Sequence, residues 1–206
     1  MATLTQRIYL ASSSPRRREL LRQIGVDFSL LLLRDQGPRG GDVNEDVCPD
    51  ESPTDYVRRI TMDKVAVAQS IMQARRLPVM PILAADTTVT VDGKILGKPA
   101  NPQEAAGMLL QLSGRTHQVL TAIAIKHNDN LWQTTQISDV SFAQLSDAQI
   151  KHYCATREPY DKAGGYGIQG RAALFISHIS GSYSGIMGLP LYETAQLLEK
   201  AGIKTP

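Results

Sequence analysis

Apolar and polar positions fall in blocks along this chain that switch repeatedly between strand period and helix period. Residues Arg7 to Ala11 form a short apolar run that stops at serines, which predicts a buried strand, and Asp27 to Leu33 predicts a second. Between them Arg16 to Ile24 has helical spacing. Residues 34–52, RDQGPRGGDVNEDVCPDES, have no period and are rich in glycine, proline and acid, which predicts a long loop of the kind that tends to be functional or mobile.

A long helix is predicted from Pro53 to Arg76, with Ser52 as N-cap, Pro53 at the first position and Asp55 as an acid in the first turn. At ~100° per residue its apolar stripe, Tyr56, Ile60, Val67 and Ile71, spans about 60°, and Lys64 stands at the stripe's edge. A lysine there either lays its stem over apolar surface or reaches a buried anion.

Next, PILAADTTVTVDGKIL (residues 81–96) predicts an apolar strand with an acid, Asp86, at its far end, then alternation into a hairpin turn at Asp92-Gly93. Asn101, Pro102 and Glu104 repeat the helix-start grammar of Ser52, and Ser113-Gly114 stops that helix. Two long strands between Thr116 and Phe142 flank HNDN; a short helix (Ser146 to Ala155), a glycine-rich stretch, a strand (Ala173 to Ile179) and a closing helix after Pro190 follow. The alternation predicts an α/β fold, and with no repeat or linker residues 1–206 are expected to form one domain.

Composition narrows the class. Twenty-two basic against 20 acidic residues leave +2, which argues against a nucleic-acid coat or polybasic membrane anchor. No apolar run nears the roughly 18 residues of a membrane span and the first ten lack a signal-peptide pattern, so a cytoplasmic protein with no nucleic acid or membrane partner is expected. Cys48 and Cys154 lie far apart, and His117, His127, His152 and His178 have no metal-ligand spacing.

Charge is instead local. In SSSPRRR, Ser14 and Pro15 make a helix start whose free N–H groups carry a partial positive charge of about half a unit, and Arg16 and Arg17 sit on it. Guanidinium forks match phosphate oxygens pairwise, so this turn suits a polyanion; a solvated basic patch is the alternative, and Arg18, ~100° further round, points to solvent. Asp86, at a strand end, can hold a metal or a water, or merely cap a turn. Lys98, twelve residues on, returns toward it after the hairpin. DKAGGYGIQG (residues 161–170) lets backbone approach a ligand closely but carries neither nucleotide-loop fingerprint. These pieces imply a site for a phosphorylated small molecule beside an acid able to hold Mg²⁺.

The blocks LASSSPRRRELL, AADTTV, ILGKP, LSGRTHQVLTAIAI, EPYDKAGGYGIQG and ISGSYSGIMGLPL, in that order, resemble the Maf family of nucleoside-triphosphate pyrophosphatases over nearly the whole chain. The resemblance implies a mixed α/β fold with a long bent sheet and flanking helices, two lobes around a cleft, similar to the inosine-triphosphate pyrophosphatases. It implies hydrolysis between the α- and β-phosphates of unwanted nucleotides, a divalent cation such as Mg²⁺, and a homodimer. On that resemblance Asp86 is the proton acceptor, Lys64 and Lys98 neutralise charge, and Ser12, Ser14, Arg16 and Arg17 hold phosphates. The family's loop Asp-Glu pair is matched only by Asn44-Glu45, behind a glycine-rich insertion, so Glu45 joins Asp86 as metal ligand, with Asp42, Asp46 and Glu51 as near alternatives. Arg16, Thr87 and Gln169 resemble the specificity positions of the branch acting on dTTP and UTP. The competing readings are the 7-methyl-GTP branch, a broader pyrophosphatase, and a nucleotide-binding regulator of septum formation.

Overall fold

The computed structural model describes residues 7–34 and 41–205, so the glycine-rich insertion upstream of Asn44 lies largely outside the described residues. Strands β1 (Arg7–Leu10), β2 (Asp27–Leu30), β3 (Ile82–Val91), β4 (Lys94–Leu96), β5 (Thr116–His127), β6 (Asn130–Phe142) and β7 (Ile176–Ser180) form one mixed sheet. Its order is β2-β1-β3-β5-β6-β7, with β4 on β3. β1 runs parallel to β2 and β3, and the other pairings are antiparallel. Among the described residues six α-helices flank it: α1 (Pro15–Gln23), α2 (Pro53–Ala74), α3 (Pro102–Leu112), α4 (Asp147–Cys154), α5 (Tyr183–Met187) and α6 (Leu191–Lys200). No helix among the described residues is long and apolar enough to cross a membrane.

The long strands bridge separate cores. Leu83 and Ala85 of β3 face α1 and α6 with Ile8, Leu21 and Leu198, while the alternate residues Ile82 and Ala84 face Val65 and Ala68 of α2. Further along β3, Val89 and Val91 pack with Leu109 and Leu112 of α3 and with Ile150 and Tyr153 of α4. Asp86 and Thr87 lie between, the two half-buried residues of an otherwise buried strand. The sequence places Asp86 at a strand end; it is mid-strand, because β5 continues the ladder past it with Asp86 opposite Ala122 and Thr87 opposite Thr121.

Other boundaries differ for local reasons. β2 stops at Leu30 rather than Leu33, since its partner β1 ends at Leu10 before the serine turn. α1 runs 15–23 instead of 16–24, and α2 ends at Ala74 instead of Arg76, which takes φ +51°. The strand predicted from Ala173 begins at Ile176, because Arg171–Leu174 form a 3₁₀ turn. The buried face of α2 is Val57, Ile60, Thr61, Val65, Ala68 and Met72. At ~100° per residue it is turned by about 80° from the predicted stripe, which puts Lys64 within the face rather than at its edge. Thr61 can belong to it because its hydroxyl donates to Val57 O at 2.8 Å.

Glycine is required where the core under α3 and α4 meets the loop before β7. Gly164 has φ +69°, and a Cβ there would stand 2.9 Å from Val89 Cγ1 and 3.0 Å from Val89 Cβ. Gly164→Ala therefore combines left-handed strain with a clash against a buried branched side chain. It is expected to lower the stability by about 1–3 kcal/mol, seen as a reduced urea midpoint at unchanged m.

Candidate active site

Around Asp86 and Thr87, between the cores at the start of β3 and the core under α3 and α4, the structure opens as a cavity of about 370 Å³. One wall is the turn from β1 into α1, which contributes Ser12, Ser14, Arg16 and Arg17. The floor is Asp86 and Thr87 from β3 with Lys64 from α2, and Glu45, Lys98 and Gln169 enter from three separate loops. The ten residues assigned site roles from the sequence thus line one cavity, although they span positions 12 to 169 of the chain, whereas the alternative acids Asp42, Asp46 and Glu51 do not.

The turn into α1 is tied internally. Ser14 caps the helix, its Oγ accepting from Arg17 N at 3.5 Å. Ser12 Oγ accepts from Ser14 N and from Arg17 Nη1, both at 3.2 Å, so its own proton stays available to a ligand. Arg17, which the sequence sets beside Arg16 on the phosphates, is buried: Nε donates to Gly188 O at 2.7 Å and Nη2 to Thr87 Oγ1 at 3.1 Å. Burial pulls its pKa down and Asp86 pulls it back up, so it supplies fixed positive charge from inside the wall. Arg16 stays half-buried at the rim, 3.3 Å from Asp161. Arg18 lies outside the cavity, reaching Ser13 O at 3.5 Å.

Thr87 has its proton direction fixed by its neighbours. Thr121 donates its only hydroxyl hydrogen to Gly185 O at 2.7 Å, so Thr87, 2.9 Å away, must donate to Thr121. With Arg17 donating to Thr87 as well, the Thr87 oxygen meets a ligand only as an acceptor.

On the floor, Lys64 Nζ sits 2.7 Å from Asp86 Oδ1 and 2.9 Å from Glu45 Oε1. The lysine is largely buried, as is Asp86, so the charges compensate one another where each has lost most of its hydration. Burial pushes the Glu45 carboxyl upward, but Lys64 foremost, with Lys98 and Arg17, outweighs it and leaves the pKa below the ordinary value. Lys98 itself is exposed at the mouth.

The structure also separates Glu45 from the other acids of its loop. Asp42 is bound by Arg34 at 2.7 Å and Glu51 by Arg59 at 2.6 Å, the latter pairing drawing the Glu51 carboxyl down to about 2. Asp42, Asp46 and Glu51 do not line the cavity. The loop is held from α2: Arg59 donates to Asn44 O at 3.3 Å and to Asp46 O at 2.8 Å, and the Tyr56 hydroxyl donates to Glu45 O at 3.0 Å. Sequence reasoning missed Tyr56 and Arg59 as holders of this loop, and contacts made across eleven or more residues leave no periodic signal.

No cluster of three or more His, Cys, Asp or Glu with metal-holding geometry occurs among the described residues. Asp86 and Glu45 each spend one oxygen on Lys64, which leaves a second oxygen on each. Two carboxylates without a dedicated cage fit the manner in which Mg²⁺ is held, by one or two acids together with substrate phosphates and water.

The opposite wall carries Tyr166, another residue the sequence did not single out, because nothing marks it among its glycines. Its hydroxyl lies 2.7 Å from His117 Nε2, and both rings stand edge to face with each other and with Phe142. Burial holds the His117 pKa down at about 4. An unfolded His protonates near 6.5, so between pH 6.5 and 4 the unfolded chain binds more protons and stability falls as pH falls. From pH 7 to pH 5 this residue should cost about 2 kcal/mol of stability in urea titrations, and its ring proton resonances should still be those of neutral imidazole at pH 5.

A family model described as "Maf-like protein" matches residues 7–201. A dTTP/UTP pyrophosphatase of Aromatoleum aromaticum is 55% identical over 204 residues, covering 98% of both chains. Those of Bordetella avium and Nitrosospira multiformis are each 52% identical, over 97% and 99% of this chain and 98% and 99% of theirs. Among solved structures, the Ham1 protein of Staphylococcus aureus covers 66% of this chain and 72% of its own at 14% identity, with a TM-score of 0.42.

Proposed function

This chain belongs to the Maf family, and from that premise we propose that it is a nucleoside-triphosphate pyrophosphatase that hydrolyses dTTP and UTP to the nucleoside monophosphate and pyrophosphate. The observation that carries the reading is the convergence of a buried carboxylate, two lysines and an arginine-lined helix start on one cavity. Cleaving a phosphoanhydride needs that combination, because positioning and charge stabilisation do most of the work in phosphoryl-type transfer.

The triphosphate lies against the α1 start, where Arg16 and the Ser12 hydroxyl donate to its oxygens and the buried Arg17 adds field without contact. Asp86 accepts a proton from water as the water oxygen bonds to phosphorus. The bond from that phosphorus to the α–β bridging oxygen breaks, and pyrophosphate carries the electron pair away. Lys64 and Lys98 offset the charge that gathers on the oxygens, and the proton on Asp86 passes to solvent. Asp86 and Glu45 would hold Mg²⁺, which when bound adds charge neutralisation and orientation at the phosphates.

Elsewhere on the cavity lining Gln169 can donate to and accept from a pyrimidine imide edge, and Thr87 on the floor offers an acceptor. A 7-methylguanine cation would call for an open aromatic face. Tyr166 is the aromatic residue among the described lining, and only 5% of it is exposed. The enzyme is proposed to work in the cytoplasm as a homodimer, in keeping with its family resemblance.

Pyrophosphate release from dTTP, UTP, CTP, GTP and 7-methyl-GTP in Mg²⁺ should favour the first two, and chelation should abolish it. Asp86→Asn should lower kcat for dTTP by 10²-fold or more while the nucleotide still binds. Binding without turnover by the folded wild type would make the chain a nucleotide-binding regulator instead.

A further inference from the structure

Gln169 is exposed, and an exposed amide on a loop cannot discriminate bases unless its backbone is held. It occupies the third place of a tight turn, closed by Gly170 N donating to Gly167 O at 3.0 Å. Both corners of that turn are gripped. At Gly170 a Cβ would fall 2.1 Å from Glu158 Oε1, and at Gly167 it would fall 2.7 Å from Lys162 Cε, so both side chains occupy space that only glycine leaves open.

Glu158 connects these grips. Its Oε2 accepts from Arg171 N at 3.0 Å, and its Oε1 accepts from the Tyr153 hydroxyl at 2.9 Å and from Ala172 N at 3.4 Å. Its backbone oxygen accepts from Lys162 Nζ at 2.7 Å, and Lys162 also pairs with Asp161, the partner of Arg16. One unbroken run of contacts thus joins α4, the Gln169 turn and the rim arginine. A carboxylate that accepts two backbone N–H groups and a phenol is a strong, directional anchor.

We propose that Glu158 is a specificity-positioning residue: its carboxylate fixes the Gln169 turn, and its carbonyl fixes Lys162, so that Gln169 and Arg16 meet the nucleotide as one preorganised unit. The inference rests on the dTTP/UTP reading above. Glu158 does not line the cavity, so it acts through those two residues rather than on the substrate.

The test is pyrophosphate release from dTTP and from GTP by wild type, Glu158→Ala, Glu158→Gln and Gly170→Ala. For Glu158→Ala the KM for dTTP should rise tenfold or more with kcat within about threefold, and the dTTP-to-GTP ratio of kcat/KM should fall tenfold or more. Glu158→Gln keeps Oε1 as an acceptor but turns an N–H group toward Arg171 N, so its ratio should fall between wild type and Glu158→Ala. Gly170→Ala leaves Glu158 and every wall residue present while its Cβ, 2.1 Å from Glu158 Oε1, drives the carboxylate off the turn. It carries the same expectation, and it decides the matter if Glu158→Ala does not fold. A wild-type ratio in the folded variants, or equal losses on both nucleotides, overturns the role of Glu158. A wild type that cleaves neither nucleotide overturns instead the reading on which it rests.

Discussion

A carboxylate in the middle of the central strand of a sheet has to be compensated, and the Lys64 ammonium, 2.7 Å from Asp86 and 2.9 Å from Glu45, does this. The need follows from topology. β3 runs unbroken from one core to another, so a charged side chain between them is flanked along the strand by apolar packing and opens only onto the cavity. α2 answers by presenting a lysine from within its buried face, at a position where the helix period would otherwise call for an apolar residue. Lys64 also ties the loop of Glu45 to the strand, so the floor of the cavity exists because one cation satisfies two acids from different segments.

The rest of the cavity repeats this arrangement. Polar groups that will face a ligand are held by others that do not. Arg17 is spent on Gly188, Ser12 and Thr87 and makes the α1 start rigid; Tyr56 and Arg59 grip three consecutive carbonyls around Glu45. Donors fixed before a phosphate arrives need little reorganisation, and for charge stabilisation that fixity matters more than the number of charges.

Much of this was legible in the sequence because it is local. Serine or asparagine followed by proline marks the starts of α1, α2 and α3, the Asp92-Gly93 turn has both residues at positive φ, and the strand and helix order follows from period. Motif resemblance named residues from six segments that the fold gathers around one cavity. Illegible features depend on what is packed against an element. Asp86 reads as a strand end because a charge normally stops an apolar run, and only the pairing with β5 carries the strand past it. The face of α2 was misplaced because apolar residues stand on both sides of Ile60, and only packing shows that Val57, Val65, Ala68 and Met72 are the buried ones while Tyr56, Val67 and Ile71 stay half-buried. Arg17 is legible as an arginine of the α1 start, but its three protein acceptors are not, because they come from positions as distant as Gly188. α5, at five residues, is too short for its period to register.

The most direct test is a double-mutant cycle in urea on Lys64→Met and Asp86→Asn. If the lysine compensates the mid-strand carboxylate, Lys64→Met alone should be destabilising because it leaves a largely buried acid unpaired. The double variant should regain part of that loss, with a coupling of about 1.5 kcal/mol or more. Strictly additive changes would contradict the account, since the two groups would then contribute to the fold independently of each other.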